Sequence, residues 1–398
     1  MTTQICIATG QPLANLIPIL HFKPRHIFLV VTNSMKVKAK DFKKILKDLD
    51  VSDSIFVLDG CPDTNLNAIS QFLTEKLLPK LPDEGCIFNL TGGTKMHSFS
   101  IYETFKSRHD DDKFIYVDTN NRLLEYYPSK QASFHELLPS VLTAKMTLKG
   151  MGKTYIKAES NDAQWIDDVK ASENLTRFIA QNIADKNVQN LIGSLNGIVG
   201  QLYNGGKSYI LDKKGGELHQ NPKGLAISIL KKAHENGLIT WHGGKKISFD
   251  DYHQARYLSG IWLEEYVWLI ANELGFEELH GGLQFGSQQA TNQATNEIDL
   301  FIQHQNMALA IECKSATATK KSDNSQDMFH KLTGVANRAG GLMCSKLFVS
   351  AFALKTKNGN DIPAVYHARE QGIKIIQAEQ IVNQLPEILK KWRDTGRL

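Results

Sequence analysis

Apolar and polar positions fall into three successive rhythms along the chain. Up to about residue 130, short β-branched and aromatic runs alternate with amphipathic stretches: ICIAT, LANLIPIL, HIFLVVT, a lysine-rich segment, SIFVLD, NLNAISQFLTEKLL, CIFNL and KFIYVD. HIFLVVT and SIFVLD are nearly continuous in apolar residues, as strands buried on both faces of a parallel sheet must be. The pattern predicts a βαβαβ domain that takes ligands at the carboxyl ends of its strands. It closes with a hairpin in KFIYVDTNNRLLEYY, turning at Asn120-Asn121.

Between about 150 and 250 the cadence breaks. SENLTRFIAQNIADKNVQNLIGSLNGIV has a helical period, a glycine- and lysine-rich stretch follows, and GLAISILKKAHENGLITWHGGKKISF reads as a helix feeding a hairpin at Gly243-Gly244. This is the outline of a winged-helix-like module, and Lys231, Lys232, Lys245 and Lys246 give it a nucleic-acid reading. Lysine-rich solvated faces are common, so a solvated connector is the preferred reading.

From about 257 a third rhythm opens with the helix YLSGIWLEEYVWLIANELG, whose apolar face is Trp262, Tyr266, Leu269 and Ile270 and whose stop is Gly275. The runs LHGGLQFG, NEIDLFIQ and MALAIECKSA then predict a three-stranded meander. A helix around 325–339, the strand KLFVSAFAL, a helix around 363–371 and the strand KIIQA follow. The whole is an α/β chain in three parts: a Rossmann-like parallel-sheet domain over 1–148, a helical and winged connector over 149–250, and a second α/β domain over 251–398.

Composition narrows the class. With 398 residues, 42% apolar and 22% charged, the chain is long enough for two or three domains and excludes disorder and collagen. No apolar run approaches the ~20 residues that span a bilayer, and MTTQICIATG lacks the basic flank and apolar core of a signal peptide, so a cytoplasmic protein without membrane contact is expected. Cys6, Cys61, Cys86, Cys313 and Cys344 are odd in number and form no CxxC pair, which fits neither a disulfide framework nor a zinc ribbon.

Chemistry concentrates in NEIDLFIQHQNMALAIECKSA. Asp299 interrupts one apolar strand, and Glu312 and Lys314 interrupt the next. Side chains alternate along a strand, so Glu312 and Lys314 share a face and Cys313 takes the other. If the strands form a hairpin, Asp299 and Glu312 converge, and a hard divalent cation relieves the cost of that pair. Lys314 then stabilises charge building on a phosphate. Glu264 and Glu265 on the preceding helix offer a further ligand or base, but neighbours on a helix point about 100° apart and only one faces the site. Glu264 is preferred. A surface ladder with a salt bridge is the alternative for this trio, and their apolar setting argues against it.

A second site is expected in the first domain. CIFNL runs into TGGTKMHS and a helix, the strand–turn–helix context in which main-chain N–H groups bind anions. Thr91, Gly92, Gly93, Thr94, Lys95 and Met96 form this turn, which lacks Walker spacing. Gly10 and Gln11 after the first strand, and Asn33 and Ser34 after the second, are expected on the same edge. His97 is expected to pack within its helix, and the six lysines from Lys36 to Lys47 to be a solvated face.

The segment from about 250 onward resembles a PD-(D/E)xK nuclease, with Asp299, Glu312 and Lys314 matching the motif in IDLF and IECKS. Ile298 stands where the motif's name has proline, a residue that binds no metal. The first domain resembles the CRISPR-associated Rossmann-fold (CARF) sensor. The whole chain is therefore similar to the ancillary nucleases of type III CRISPR defence that join the two and are activated by cyclic tetra-adenylate. The resemblance implies magnesium or manganese contacted at Asp299, Glu312 and Cys313. It also implies a cyclic oligoadenylate held by GQP and TGGTKM loops across the two-fold axis of a homodimer, and cleavage of DNA and RNA with little sequence specificity. Two other readings stay open: a ligand-responsive nucleic-acid-binding regulator with an inert nuclease fold, and a constitutive restriction or repair nuclease. The formal charge is only +4, so positive charge is expected to be local, near Lys314, Lys320, Lys321, Lys331, Arg338 and the TGGTK turn.

Overall fold

The computed structural model describes residues 3–119, 121–127, 135–202, 215–287, 295–315, 322–356 and 358–398. Asn120 of the expected hairpin turn, Lys320 and Lys321 lie outside them. Among the described residues no helix is long and apolar enough to cross a membrane.

The first sheet has strands β1 (Thr3–Ile7), β2 (His26–Thr32), β3 (Ser54–Cys61), β4 (Ile87–Asn89), β5 (Lys113–Asp118), β6 (Leu123–Tyr127) and β7 (His135–Leu137). Its order is β3-β2-β1-β4-β5-β6-β7, parallel from β3 to β5 and antiparallel from β5 onward. Helices α1 (Leu13–Phe22), α2 (Lys36–Asp48), α3 (Leu66–Phe72) and α4 (Lys95–Phe105) alternate with the parallel strands. They cover both faces, which is why β1 and β2 are buried almost along their length. On α2 the buried positions are Ala39, Phe42, Ile45 and Leu46, and its lysines face outward as expected.

Helix α5 (Ala144–Gly150) leads into β8 (Lys153–Lys157), and here the structure departs from the expected division. Strand β8 is not part of a connector. It pairs antiparallel with β11 (Glu278–Ser287) and becomes the edge of the second sheet. Helices α6 (Ala163–Gln181), α7 (Lys186–Leu202) and α8 (Leu225–Glu235) follow. Strand β9 (Gly215–Glu217) pairs with β10 (Lys246–Ser248), and Thr240 bridges Ser248 across the expected turn, where Gly243 and Gly244 both have positive φ. The helix-and-wing outline is therefore present, but it has no separate core. Ile192, Ile229, Trp241 and Phe249 share one apolar cluster with Trp262 and Val349 of the last domain.

Short helix α9 (Tyr252–Arg256) precedes α10 (Trp262–Glu273), which ends before Gly275 at φ +67°. The meander forms as expected from β11, β12 (Asn296–His304) and β13 (Met307–Lys314). Helix α11 (Ser322–Gly340), β14 (Cys344–Ser350), α12 (Pro363–Glu370) and β15 (Ile373–Gln377) complete a sheet of order β15-β14-β13-β12-β11-β8. A last helix, α13 (Gln380–Thr395), continues past the final expected strand and buries Trp392 under the sheet.

The two sheets are joined by more than chain connectivity. Met343, in the turn before β14, is 7% exposed and packs in the apolar core of the first domain beside Leu142 and Ala14. Arg122, between β5 and β6, donates to the carbonyl oxygens of Trp392 (3.1 Å) and Arg393 (2.8 Å) in the last turn of α13.

Candidate active and ligand sites

The catalytic candidates meet where β12, β13 and α10 converge. Because β12 and β13 are antiparallel neighbours, Asp299 and Glu312 lie on adjacent strands. Their side chains are close enough that the charge of Glu312 opposes ionisation of Asp299. Burial is the larger cause, and together they push the Asp299 carboxyl up to about 7. One Asp299 oxygen accepts the Cys313 N–H at 2.6 Å. Glu312 is 3% exposed, and its Oε1 is 2.6 Å from the Lys314 ammonium and 3.5 Å from Lys331 of α11. Burial works against the charge on Lys314, yet Asp299 and Glu312 hold its pKa above the ordinary value.

The neighbours on α10 divide as the helical turn requires. Glu264 faces the strands: burial, then the charge of Asp299, raises its pKa well above the usual carboxylate range, against the pull of Arg256 and Lys314. Glu265 faces α6 and accepts from Ser172 Oγ at 2.7 Å and Thr176 Oγ1 at 3.3 Å. Cys313 brings its main chain to the site, and its thiol, 5% exposed, packs in the apolar core, because alternation sends it to the face opposite Glu312 and Lys314.

Sequence reasoning missed Glu159. It sits in the short turn after β8, over Gly282 of β11. Gly281 pairs with Leu300 and Leu283 with Ile298, so Gly282 stands opposite Asp299. Gly282 has φ +60°, and a Cβ there would come within 2.6 Å of the Glu159 Cγ, so only glycine lets this carboxylate lie across the strand. The charge of Glu159 adds to the forces opposing ionisation of Glu264. The residue carries no motif signal; only the alternation in KTYIK ahead of it marks a strand.

Among the described residues no three His, Cys, Asp or Glu side chains are already gathered as a metal cage. The donor set still suits a hard cation, which takes one or two carboxylates and fills its remaining positions with water and phosphate. Asp299 and Glu312 each keep an oxygen outside the hydrogen bonds described above, and the raised pKa of Asp299 marks negative charge that a cation would relieve. Of the expected basic residues, Lys331 reaches Glu312, whereas Arg338 donates to Asn296 Oδ1 at 3.0 Å.

The first domain gathers its candidates at one edge. Gly10 and Gln11 follow β1, Asn33 and Ser34 follow β2, and Thr91 to Met96 follow β4, all at carboxyl ends and on both sides of the point where strand order reverses between β1 and β4. The TGGTK turn is locked from beneath. Asn89 Oδ1 accepts the Thr91 N–H at 3.0 Å, Asn89 Nδ2 donates to Asn15 Oδ1 at 3.0 Å, and Thr91 Oγ1 accepts the Val117 N–H at 2.8 Å. A Cβ on Gly92 would come within 2.7 Å of the Ile7 carbonyl oxygen, so the turn can lie against the end of β1 only as glycine. Thr94 caps α4 in a box with His97, whose other ring nitrogen is 2.9 Å from the Pro62 carbonyl oxygen; His97 is a packing residue, as expected. Ser34 is less free than expected, since its hydroxyl donates to Asp63 at 2.6 Å. Lys95 and Met96 stay exposed. Gln11 Oε1 lies 3.5 Å from the Leu342 amide, so this loop touches the turn that carries Met343.

A doubly wound domain with a polar ligand edge, fused to a sheet that gathers carboxylates around a buried lysine, defines a sensor–nuclease class of chain. Residues 3–150 match the family model of the Card1 CARF domain and residues 251–395 that of the Card1-like endonuclease domain. The chain belongs to the Card1 family, which these two domain models define. Its fold is similar to that of Can2 from Sulfobacillus thermosulfidooxidans, solved in complex with cyclic tetra-adenylate, with a TM-score of 0.75 and 22% identity over 99% of this chain and 97% of that one. Protein VC1899 from Vibrio cholerae gives 0.78 and 20% over 99% and 98%. Among curated proteins none matches in sequence.

Proposed function

We propose that this protein is a metal-dependent endonuclease of type III CRISPR defence, switched on when cyclic tetra-adenylate binds the sensor edge of a homodimer, and that it cleaves DNA and RNA with little sequence preference. The observation that carries the reading is the convergence of Asp299, Glu312, Lys314 and Glu264 on one point in the domain that matches the endonuclease family. Asp299 and Glu312 would hold magnesium or manganese, and a cation bound there supplies polarisation of the phosphate and a lowered pKa for bound water. Lys314, kept charged between two carboxylates, stabilises the negative charge that builds at phosphorus. Glu264, whose pKa is raised by burial and by the charge of Asp299, is placed for proton transfer at an attacking or leaving oxygen.

In the sensor, the N–H groups at the start of α4 and the Lys95 ammonium provide the positive field that phosphates require. Met96 and Phe99 are 44% and 55% exposed beside that turn, an apolar surface suited to a second copy. A ring with two-fold symmetry is matched by one turn from each protomer. The Can2 fold, captured with cyclic tetra-adenylate, supports that choice of ligand.

The test is cleavage of labelled DNA and RNA with Mg²⁺ or Mn²⁺, with and without cyclic tetra-adenylate, on wild type and Glu312→Ala, with light scattering for the dimer. Cleavage is expected only with metal and activator together and is lost in the variant. Undiminished cleavage by Glu312→Ala would overturn the site, and activator-independent cleavage the gating.

A further inference from the structure

A cleft of about 740 Å³ opens between α2, α5 and β8, away from the ligand edge of the sensor. Lys44, Lys145, Lys149, Lys153 and Lys157 line it against one acid, Asp48. Five lysines against Asp48 give the cleft a local net charge of 5 − 1 = +4. Two of the five are engaged: Lys149 Nζ donates to the Asp48 carbonyl oxygen at 2.9 Å, and the Lys145 ammonium lies 5.2 Å over the Tyr155 ring. The lysine ion pairs of the described residues lie elsewhere, at Lys106, Lys314 and Lys331. Lys44, Lys153 and Lys157 therefore face solvent with their charge unmatched, an arrangement that repels itself until a polyanion enters.

The cleft is also a track. It follows β8, the free edge of the nuclease sheet, and β8 runs straight into the turn where Glu159 stands over Gly282, opposite Asp299. A single phosphate would need only a point pocket of N–H groups. Lysines spread along a strand and a helix, with the tyrosine ring and the 39% exposed Ile156 between them, match the basic groove with flat apolar surfaces that holds one strand of nucleic acid without reading its bases.

We propose that this lysine cleft guides the substrate strand, held by its phosphates, to the catalytic carboxylates. One wall, Lys44 on α2, belongs to the sensor, so the track is complete only when sensor and nuclease are correctly seated. The inference rests on the nuclease reading above.

The experiment uses the full-length chain carrying Glu312→Ala, loaded with cyclic tetra-adenylate, and measures the anisotropy of a fluorescent single-stranded 20-mer across a salt series. Adding Lys153→Glu and Lys157→Glu is expected to weaken binding at least tenfold and to lower the log–log salt slope by about 1.4, near 0.7 for each lost phosphate contact. Charge reversal at exposed Lys390 and Lys391 of α13 leaves both unchanged. Lys44→Glu, on an exposed helical position, shifts binding the same way and guards against misfolding of the strand variant. In the cleaving background the lysine variants raise KM and leave kcat at saturating substrate alone. If wild type cuts a strand but the cleft variants bind with unchanged affinity and slope, the cleft is overturned alone; tighter binding of a duplex than of a single strand overturns the single-strand assignment. If wild type with metal and activator cuts nothing, the nuclease reading has failed and the cleft falls with it.

Discussion

Replacing Glu265 by glutamine is expected to make the protein more stable, and only at neutral and higher pH. The carboxyl lies between α10 and α6, 6% exposed, with the Ser172 and Thr176 hydroxyls as its donors. Burial raises its pKa from 4.5 to about 7, more than those hydroxyls pull it down. In the unfolded chain the group ionises near 4.5. Between the two values folding takes up a proton, so stability falls as pH rises and the loss is complete above about 7. At about 1.4 kcal/mol for each pH unit, the gap is worth about 3 kcal/mol. Glutamine keeps the shape and an acceptor for both hydroxyls but cannot ionise, so it does not incur this loss. Thermal melts of wild type and Glu265→Gln should coincide more nearly at pH 4.5 to 5 and separate by roughly 4 °C at pH 8, with the variant higher. Nuclease activity should be retained, whereas Glu264→Gln, one residue away but facing the strands, should lose it. Equal separation of the melts at both pH values would refute the reasoning, because a packing change has no reason to track a proton.

Gly282→Ala introduces about 1–2 kcal/mol of left-handed strain and places a Cβ where Glu159 now lies. Initial cleavage rates of Gly282→Ala and Glu159→Ala should fall to similar levels and the double variant no further; a wild-type rate for Gly282→Ala beside an impaired Glu159→Ala would exclude a role for this contact. Arg122→Ala removes the donor to the Trp392 and Arg393 carbonyls and should cost about 2–3 kcal/mol. Differential scanning calorimetry should then resolve the single melt into two.

The legible parts of this molecule were those in which a local pattern carries the information. Charges inside apolar runs gave Asp299, Glu312 and Lys314, and their placement on adjacent strands needed only a hairpin of adjacent sequence. That only one of Glu264 and Glu265 can face the strands followed from the angle between helical neighbours; which of the two does so depends on how α10 packs, beyond the reach of that angle. The alternation of parallel strands with helices and the glycines of the TGGTK turn were similarly local. What escaped depends on contacts between distant segments. Pairing of β8 with β11 joins Tyr155 to Phe285, 285 − 155 = 130 positions apart in sequence, and no periodicity in KTYIK selects that partner over solvent. Glu159 inherits the same blindness. The hydrogen bond from Ser34 to Asp63 joins two separate loops and had no local signal. The placement of the Cys313 thiol followed from alternation alone.

Met343 gives the boundary between the halves a different meaning. A side chain from the second half of the sequence fills the core of the first, so a gene fragment ending near residue 150 encodes a sensor with an open hole in its apolar interior. Exchanging sensors between relatives to change ligand specificity would then require carrying the 341–343 turn with the graft. The inheritable unit is a sensor together with the small piece of nuclease that completes it.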